Sequence, residues 1–190
     1  MSDYEASPNE AGSTLENESS NESQQFFGKY RGTVLNNVDP MQIGRIQVIV
    51  PDVSSFVPTS WAMPCVPVAG IQMGLATVPP VGAGVWVEFE QGDPDYPIWV
   101  GCFWGGAEEV PVLAHAAAPD VATIVLQTTL QNGIVVSDLP GPTGGIMLKS
   151  TTGATLIVND TGIYIQNGKG ASLTLIGPTV TVNEGALTVI

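Results

Sequence analysis

Cations are scarce in this sequence. Five Lys and Arg residues face 18 Asp and Glu, for a formal charge of −13. A chain without a basic patch is repelled at long range by nucleic acid and by anionic lipid, so neither is expected as a partner. One histidine, His115, and two cysteines, Cys65 and Cys102, cannot supply a closed four-ligand zinc site within one chain. No apolar run approaches the roughly 18 residues of a membrane span, so stable membrane insertion is not expected. Helical periodicity is also missing, because 22 Gly and 15 Pro interrupt nearly every window. Charged residues are only 12% of the chain and hydrophobic residues 44%. That balance leaves an ordered, β-rich chain with room for one or two domains.

The most informative feature is the last third, a ladder of short alternating segments punctuated by glycine: GGIMLKS, GATLIVND, TGIYIQNG, ASLTLIG, TVTVNEG and ALTVI. Apolar pairs recur at i and i+2: Ile146 and Leu148, Leu156 and Val158, Ile163 and Ile165, Leu173 and Leu175, Val180 and Val182, Leu187 and Val189. Their first members fall 10, 7, 10, 7 and 7 residues apart. Period-2 alternation marks half-buried strands, and near-regular turns mark a repeat array. No helix follows to cover the apolar face. Six strands alone would leave that face and the sheet edges in water. The twelve residues are therefore expected to form a core shared between copies of the chain, in a stiff rod.

Upstream the pattern changes. Six acids (Asp3, Glu5, Glu10, Glu16, Glu18 and Glu22) crowd residues 1–25, which read as a disordered acidic tail. With neither a basic start nor an apolar run, the opening segment is not a secretory signal, so assembly in the cytoplasm without a signal peptide is expected. Two buried free thiols are then expected in place of a disulfide. Candidate strands run from Lys29 to Leu35, Gly44 to Val50, Trp61 to Val68, Gly84 to Glu90 and Ile98 to Phe103. The third is weakened by Pro64 and Pro67. Five strands over residues 26–105 without helical crossovers predict a small closed or partly closed barrel. Residues 106–120 read as a neck, and strands at Val121 to Gln127 and Gly133 to Val136 as first rungs of the 121–190 ladder.

Three stretches of the barrel segment carry a resemblance: GTVLNNVDPMQIGRIQVIVP (residues 32–51), WAMPCVP (61–67) and VGAGVWVEFEQGDPDYPIWVGCFWGG (81–106). In this order, followed by a glycine-punctuated ladder, they resemble the central spike proteins of contractile injection systems. Those include phage baseplate spikes, type VI valine-glycine-repeat proteins and extracellular contractile injection system spikes. The resemblance covers residues 26–190. It implies an all-β chain, with an N-terminal OB-fold barrel and a C-terminal intertwined trimeric β-helix shaped as a triangular prism. It implies a homotrimer, with the barrel docking on a trimeric hub protein of the baseplate. The number three comes from the resemblance, since the physics of the ladder requires only more than one copy. The implied function is a structural spike at the tip of a contractile tail, helping to pierce the target envelope within a phage tail-like particle. No lysozyme-like domain lies between barrel and rod. The His-X-His iron site that closes some phage spikes is absent, because His115 lies in the neck.

Other chemistries are disfavoured. Asp93 and Asp95 in GDPDYP read as turn residues, not a carboxylate pair. Glu88 and Glu90 alternate outward on a strand. His115 has no adjacent Ser, Cys or Asp suggesting a triad. Trp61, Trp86, Trp99 and Trp104 read as core or interface, not as a sugar platform. Asp160 and Glu184, the only acids after Gly141, are 24 residues apart, which disfavours a polysaccharide-cleaving β-helix. No catalytic residue, cofactor or metal ligand is assigned, and the chain is not expected to be an enzyme. The alternative function is a trimeric tail-fibre or adhesin tip that binds a receptor or glycan, but a plain terminal ALTVI replaces the elaborated knob such a tip needs. Leu187, Thr188, Val189 and Ile190 are instead the candidate platform for a separate conical PAAR-type protein (proline-alanine-alanine-arginine repeat).

Overall fold

The computed structural model describes residues 24–116 and 119–189. The acidic tail lies outside the described residues up to position 23. The chain divides into two units, at Phe103 and Trp104.

The first unit is built from β1 (Tyr30–Asn36), β2 (Gln47–Ile49), a single helical turn α1 (Pro51–Ser54), β3 (Met63–Pro64), β4 (Ala69–Gly70), β5 (Met73–Gly74), β6 (Gly84–Phe89) and β7 (Pro97–Phe103). Five strands form one sheet in the order β2-β1-β6-β7-β3, and only β3 runs parallel to its neighbour. An isolated antiparallel bridge between Ile46 and Ala62 ties the two outer strands of that row, so the sheet turns back on itself as a barrel. The interior is aliphatic: Val34, Ile46, Val48, Val50, Ala62, Val85 and Val87, with Phe89 and Trp99. Alternation in GVWVEF delivers Val85, Val87 and Phe89 inward while Trp86 and Glu88 stay half-exposed. Phe26 and Tyr30 pack on Phe89, with ring centroids 6.1 and 5.7 Å away.

The third expected strand shrinks to two residues. Proline has no N–H to donate, so Pro64 and Pro67 limit the ladder, and Cys65 N–H makes its last bond, 2.9 Å to Trp99 O. The β4–β5 hairpin and α1 have no counterpart in the sequence reading. Cys65 and Cys102 are free as expected, but both are exposed, not buried. One lies just beyond the shortened β3 and the other one residue from the end of β7, at the margins of the sheet. Of the tryptophans only Trp99 is core, its Nε1 donating to Gly44 O at 3.1 Å. Trp86 stacks with Phe103 beneath the Arg31 guanidinium, and Trp104 is exposed.

The loop between β1 and β2 is organised by one buried carboxylate. Asp39 accepts from the backbone N–H groups of Met41, Ile43 and Arg45 at 3.0, 3.0 and 3.2 Å. Arg45 closes the loop from its side chain, with Nη2 at 2.7 Å and Nε at 3.1 Å from Asp39 Oδ1. Gly44, at φ +84°, supplies the left-handed turn that lets Arg45 fold back. The Arg45 guanidinium, with these N–H groups, holds the Asp39 carboxyl well below the usual carboxylate range. In the sequence these residues stand only as part of the 32–51 stretch. Their pairing comes from the fold.

The second unit carries three short 3-10 turns (Ala107–Glu109, Val112–His115 and Asn183–Gly185) and eight strands: β8 (Thr123–Gln127), β9 (Gly133–Ser137), β10 (Gly145–Lys149), β11 (Thr155–Asn159), β12 (Gly162–Gln166), β13 (Ser172–Ile176), β14 (Thr179–Val182) and β15 (Leu187–Val189). They form one antiparallel sheet in sequence order, each strand bonded to its neighbours in the same chain. Side-chain amides shape its turns: Asn159 Oδ1 accepts from Thr161 and Gly162 N–H, and Asn167 Oδ1 from Lys169 and Ala171 N–H. Gly145, at φ +82°, sits where a Cβ would come within 2.2 Å of Val158 O. Any side chain there would push β10 off β11.

Because the Asp39 carboxyl is depressed in the folded state, it contributes stability above its unfolded value of about 3.9, lost as pH falls below that. Asp39→Asn should lower the thermal midpoint at pH 7. Its deficit against wild type should shrink as pH falls from about 4 to 2. Calorimetry across that range checks this, and an equal deficit at pH 7 and pH 2 would contradict it.

Candidate functional site

The register of the eight-stranded sheet aligns its aliphatic residues into two continuous rows. One row runs Ile124, Val136, Ile146, Val158, Ile163, Leu175, Val180, Val189. The other runs Leu126, Ile134, Leu148, Leu156, Ile165, Leu173, Val182, Leu187. Residues directly opposite in an antiparallel pair share a face. All sixteen side chains, two from each of eight strands, therefore lie on one side, without a polar residue among them. Eight strands stacked at about 4.8 Å give a face roughly 34 Å long.

That face is uncovered. Ile124, Leu126, Ile134, Val136, Ile146, Leu148, Val158, Ile163, Ile165, Leu187 and Val189 are exposed, and the other five are half-buried. The opposite face is the better covered of the two. Its middle row reads Val125, Val135, Met147, Ile157, Tyr164, Thr174, Thr181. Val135, Met147 and Ile157 line a recess together with Leu113 and the 139–145 loop. Leu113 is buried over Gly133, where an added Cβ would meet its Cδ1 at 2.5 Å, and its N–H donates to Gln127 Oε1 at 3.0 Å. From Tyr164 onward the row is hydroxylic and suits water. A monomeric domain would bury its most apolar face first, and this sheet covers its less apolar one.

All twelve core residues expected from the alternating ladder stand in these two rows. The sequence reading left out Ile124, Leu126, Ile134 and Val136. The signal was present in TIVLQ and GIVVS, but the Leu139–Gly145 break separated those strands from the repeat. Of the expected platform, Leu187 and Val189 lie on the last strand, 59% and 57% exposed, and Ile190 and the Thr188 side chain lie outside the described residues. β15 is an edge strand, so its outer backbone groups have no ladder partner among the described residues.

The other candidates separate. Asp93 Oδ1 accepts from Asp95 N–H at 3.0 Å, which is the turn geometry expected. Glu88 pairs with Lys29. His115 ends the second 3-10 turn. Among the described residues no group of three His, Cys, Asp or Glu could hold a metal ion. No helix of the described residues is long and apolar enough to cross a membrane.

Residues 30–104 match the family described as the type VI secretion system and phage-baseplate injector OB domain. Residues 123–188 match the phage baseplate V C-terminal trimerisation domain. No curated protein matches the chain. The two matches tile the chain in the order barrel then ladder, and the chain belongs to the baseplate spike family of phage tails and type VI injectors. The bare aliphatic face is thus the surface of a trimerisation domain, and the family's role is structural.

Covering an exposed aliphatic side chain stabilises by roughly 1 kcal/mol. Sixteen per chain outweigh an association cost of about 4–15 kcal/mol. Ile165→Asp places a carboxylate in the middle of the face, at a cost on the order of several kcal/mol per chain once desolvated. It should leave the protein monomeric by light scattering at micromolar concentration. Tyr164→Asp, on the opposite face, should preserve the wild-type mass. Equal effects at both positions would contradict the register.

Proposed function

We propose that this chain is the central spike of a contractile tail or injection system, docking by its barrel on a trimeric hub protein and helping to pierce the target envelope. The supporting observation is the unbroken pair of aliphatic rows within a matched trimerisation domain. Three such faces turned to a common axis would share a core without a polar residue to hydrate. Strands lie across the stacking direction, so thrust along the stack passes from strand to strand through backbone hydrogen bonds. Few long loops interrupt it, and a short-looped ladder resists local opening. The role is mechanical, and no side chain is assigned a catalytic part.

The domain reading that accompanies this function is an acidic tail over 1–25, an OB-fold domain over 26–105, a neck over 106–120 and a spike over 121–190. The particle, a phage baseplate or a related injector, is where the assembled trimer would act. The far end is the edge strand β15. Three copies of Leu187 and Val189, together with Thr188 and Ile190, would form a small apolar triangle with unpaired backbone groups at its rim. A PAAR-type tip protein fits such a platform and would supply the point that a plain strand lacks.

Deleting Leu187 to Ile190 should abolish binding of the cognate tip protein while light scattering still reports a trimer. Unchanged affinity in the truncated protein would remove the platform reading. A monomeric wild type would remove the spike reading itself.

A further inference from the structure

We propose that the β4–β5 hairpin of the barrel unit is a contact between copies of this chain, packing in the trimer on the barrel unit of the neighbouring protomer. From Val53 to Val87 the sequence contains no charged residue, although the chain as a whole carries −13. The hairpin lies within that stretch and presents its side chains outward: Ile71 is 99% exposed, Met73 64%, and Val68 and Leu75 about half. Beside it opens an apolar cleft of about 750 Å³, reached by Ile43, Met63 and Val66.

Each hairpin strand has two residues, and they pair only with each other, Ala69 with Gly74 and Gly70 with Met73. A two-stranded ribbon this short is not stable by itself in water. Something must cover it, and the occupant follows from charge and tethering. Trimerisation through the aliphatic sheet holds three barrel units at an effective concentration in the millimolar range. Outside that stretch, positions 24–103 carry Asp39, Asp52, Glu88, Glu90, Asp93 and Asp95 against Lys29, Arg31 and Arg45. Like-charged surfaces brought together repel, so copies meet most favourably where neither presents charge. A threefold ring has heterologous interfaces, so the hairpin of one protomer meets a different surface of the next. Contact with a hub protein is the competing occupant.

The inference rests on the trimer reading, and the test separates the two. Light scattering of the full chain gives the oligomeric state, and hydrogen–deuterium exchange over residues 66–78 reports the hairpin. Exchange there should be at least about tenfold slower in the wild-type trimer than in the Ile165→Asp monomer. Ile71→Asp should release the hairpin to fast exchange while the mass remains that of a trimer. A wild-type monomer would overturn the trimer reading and this contact together. In a wild-type trimer, equal exchange with and without assembly would overturn the contact alone: equally fast means the hairpin is open to another partner, equally slow that it supports itself. Slow exchange that persists in a trimeric Ile71→Asp protein would overturn it as well.

Discussion

Sixteen aliphatic side chains on one face of a single sheet cannot stay in water. Everything else in the second unit serves that constraint. The strands are short because each contributes only two residues to the face, and every further residue would widen the contact without lengthening it. From β12 onward Tyr164, Thr174 and Thr181 make the middle row of the opposite face hydroxylic. Where that face is apolar, at β9 to β11, it shares a recess with Leu113 and the 139–145 loop, so only one face is left to drive association. Leucine, isoleucine and valine alone occupy the two rows. A single buried charge would cost more than several of those contacts return.

The barrel unit solves the opposite problem. It closes its own core by joining β2 to β3 through the Ile46–Ala62 bridge. Its connecting loop is held by a carboxylate that satisfies three backbone N–H groups and one guanidinium at once. The uncharged stretch that follows departs from this economy, because it exposes its apolar side chains when it could have buried them. In a family of structural assemblies, exposed apolar surface of that kind belongs to an interface.

The sequence alone determined the class of fold and which ladder residues share a face. Period-2 alternation is a local property, so Ile146 to Val189 could be assigned to one face without any knowledge of neighbours. The scarce cations, the single histidine and the two cysteines set the expectation of no nucleic-acid partner and no closed zinc site within one chain on the same basis, because counting needs no geometry. Tertiary structure decided whatever depends on residues meeting across distance in the chain. Ile124, Leu126, Ile134 and Val136 joined the two rows only through the register of β8 and β9 with β10, across a break that hides the repeat. Asp39 and Arg45 became one element because a left-handed glycine turned the loop. Pro64 and Pro67 cut a strand to two residues because its ladder needed N–H groups they lack. Cys65 and Cys102 came to the surface because they fall at sheet margins, and a margin exists only once strands have been placed side by side.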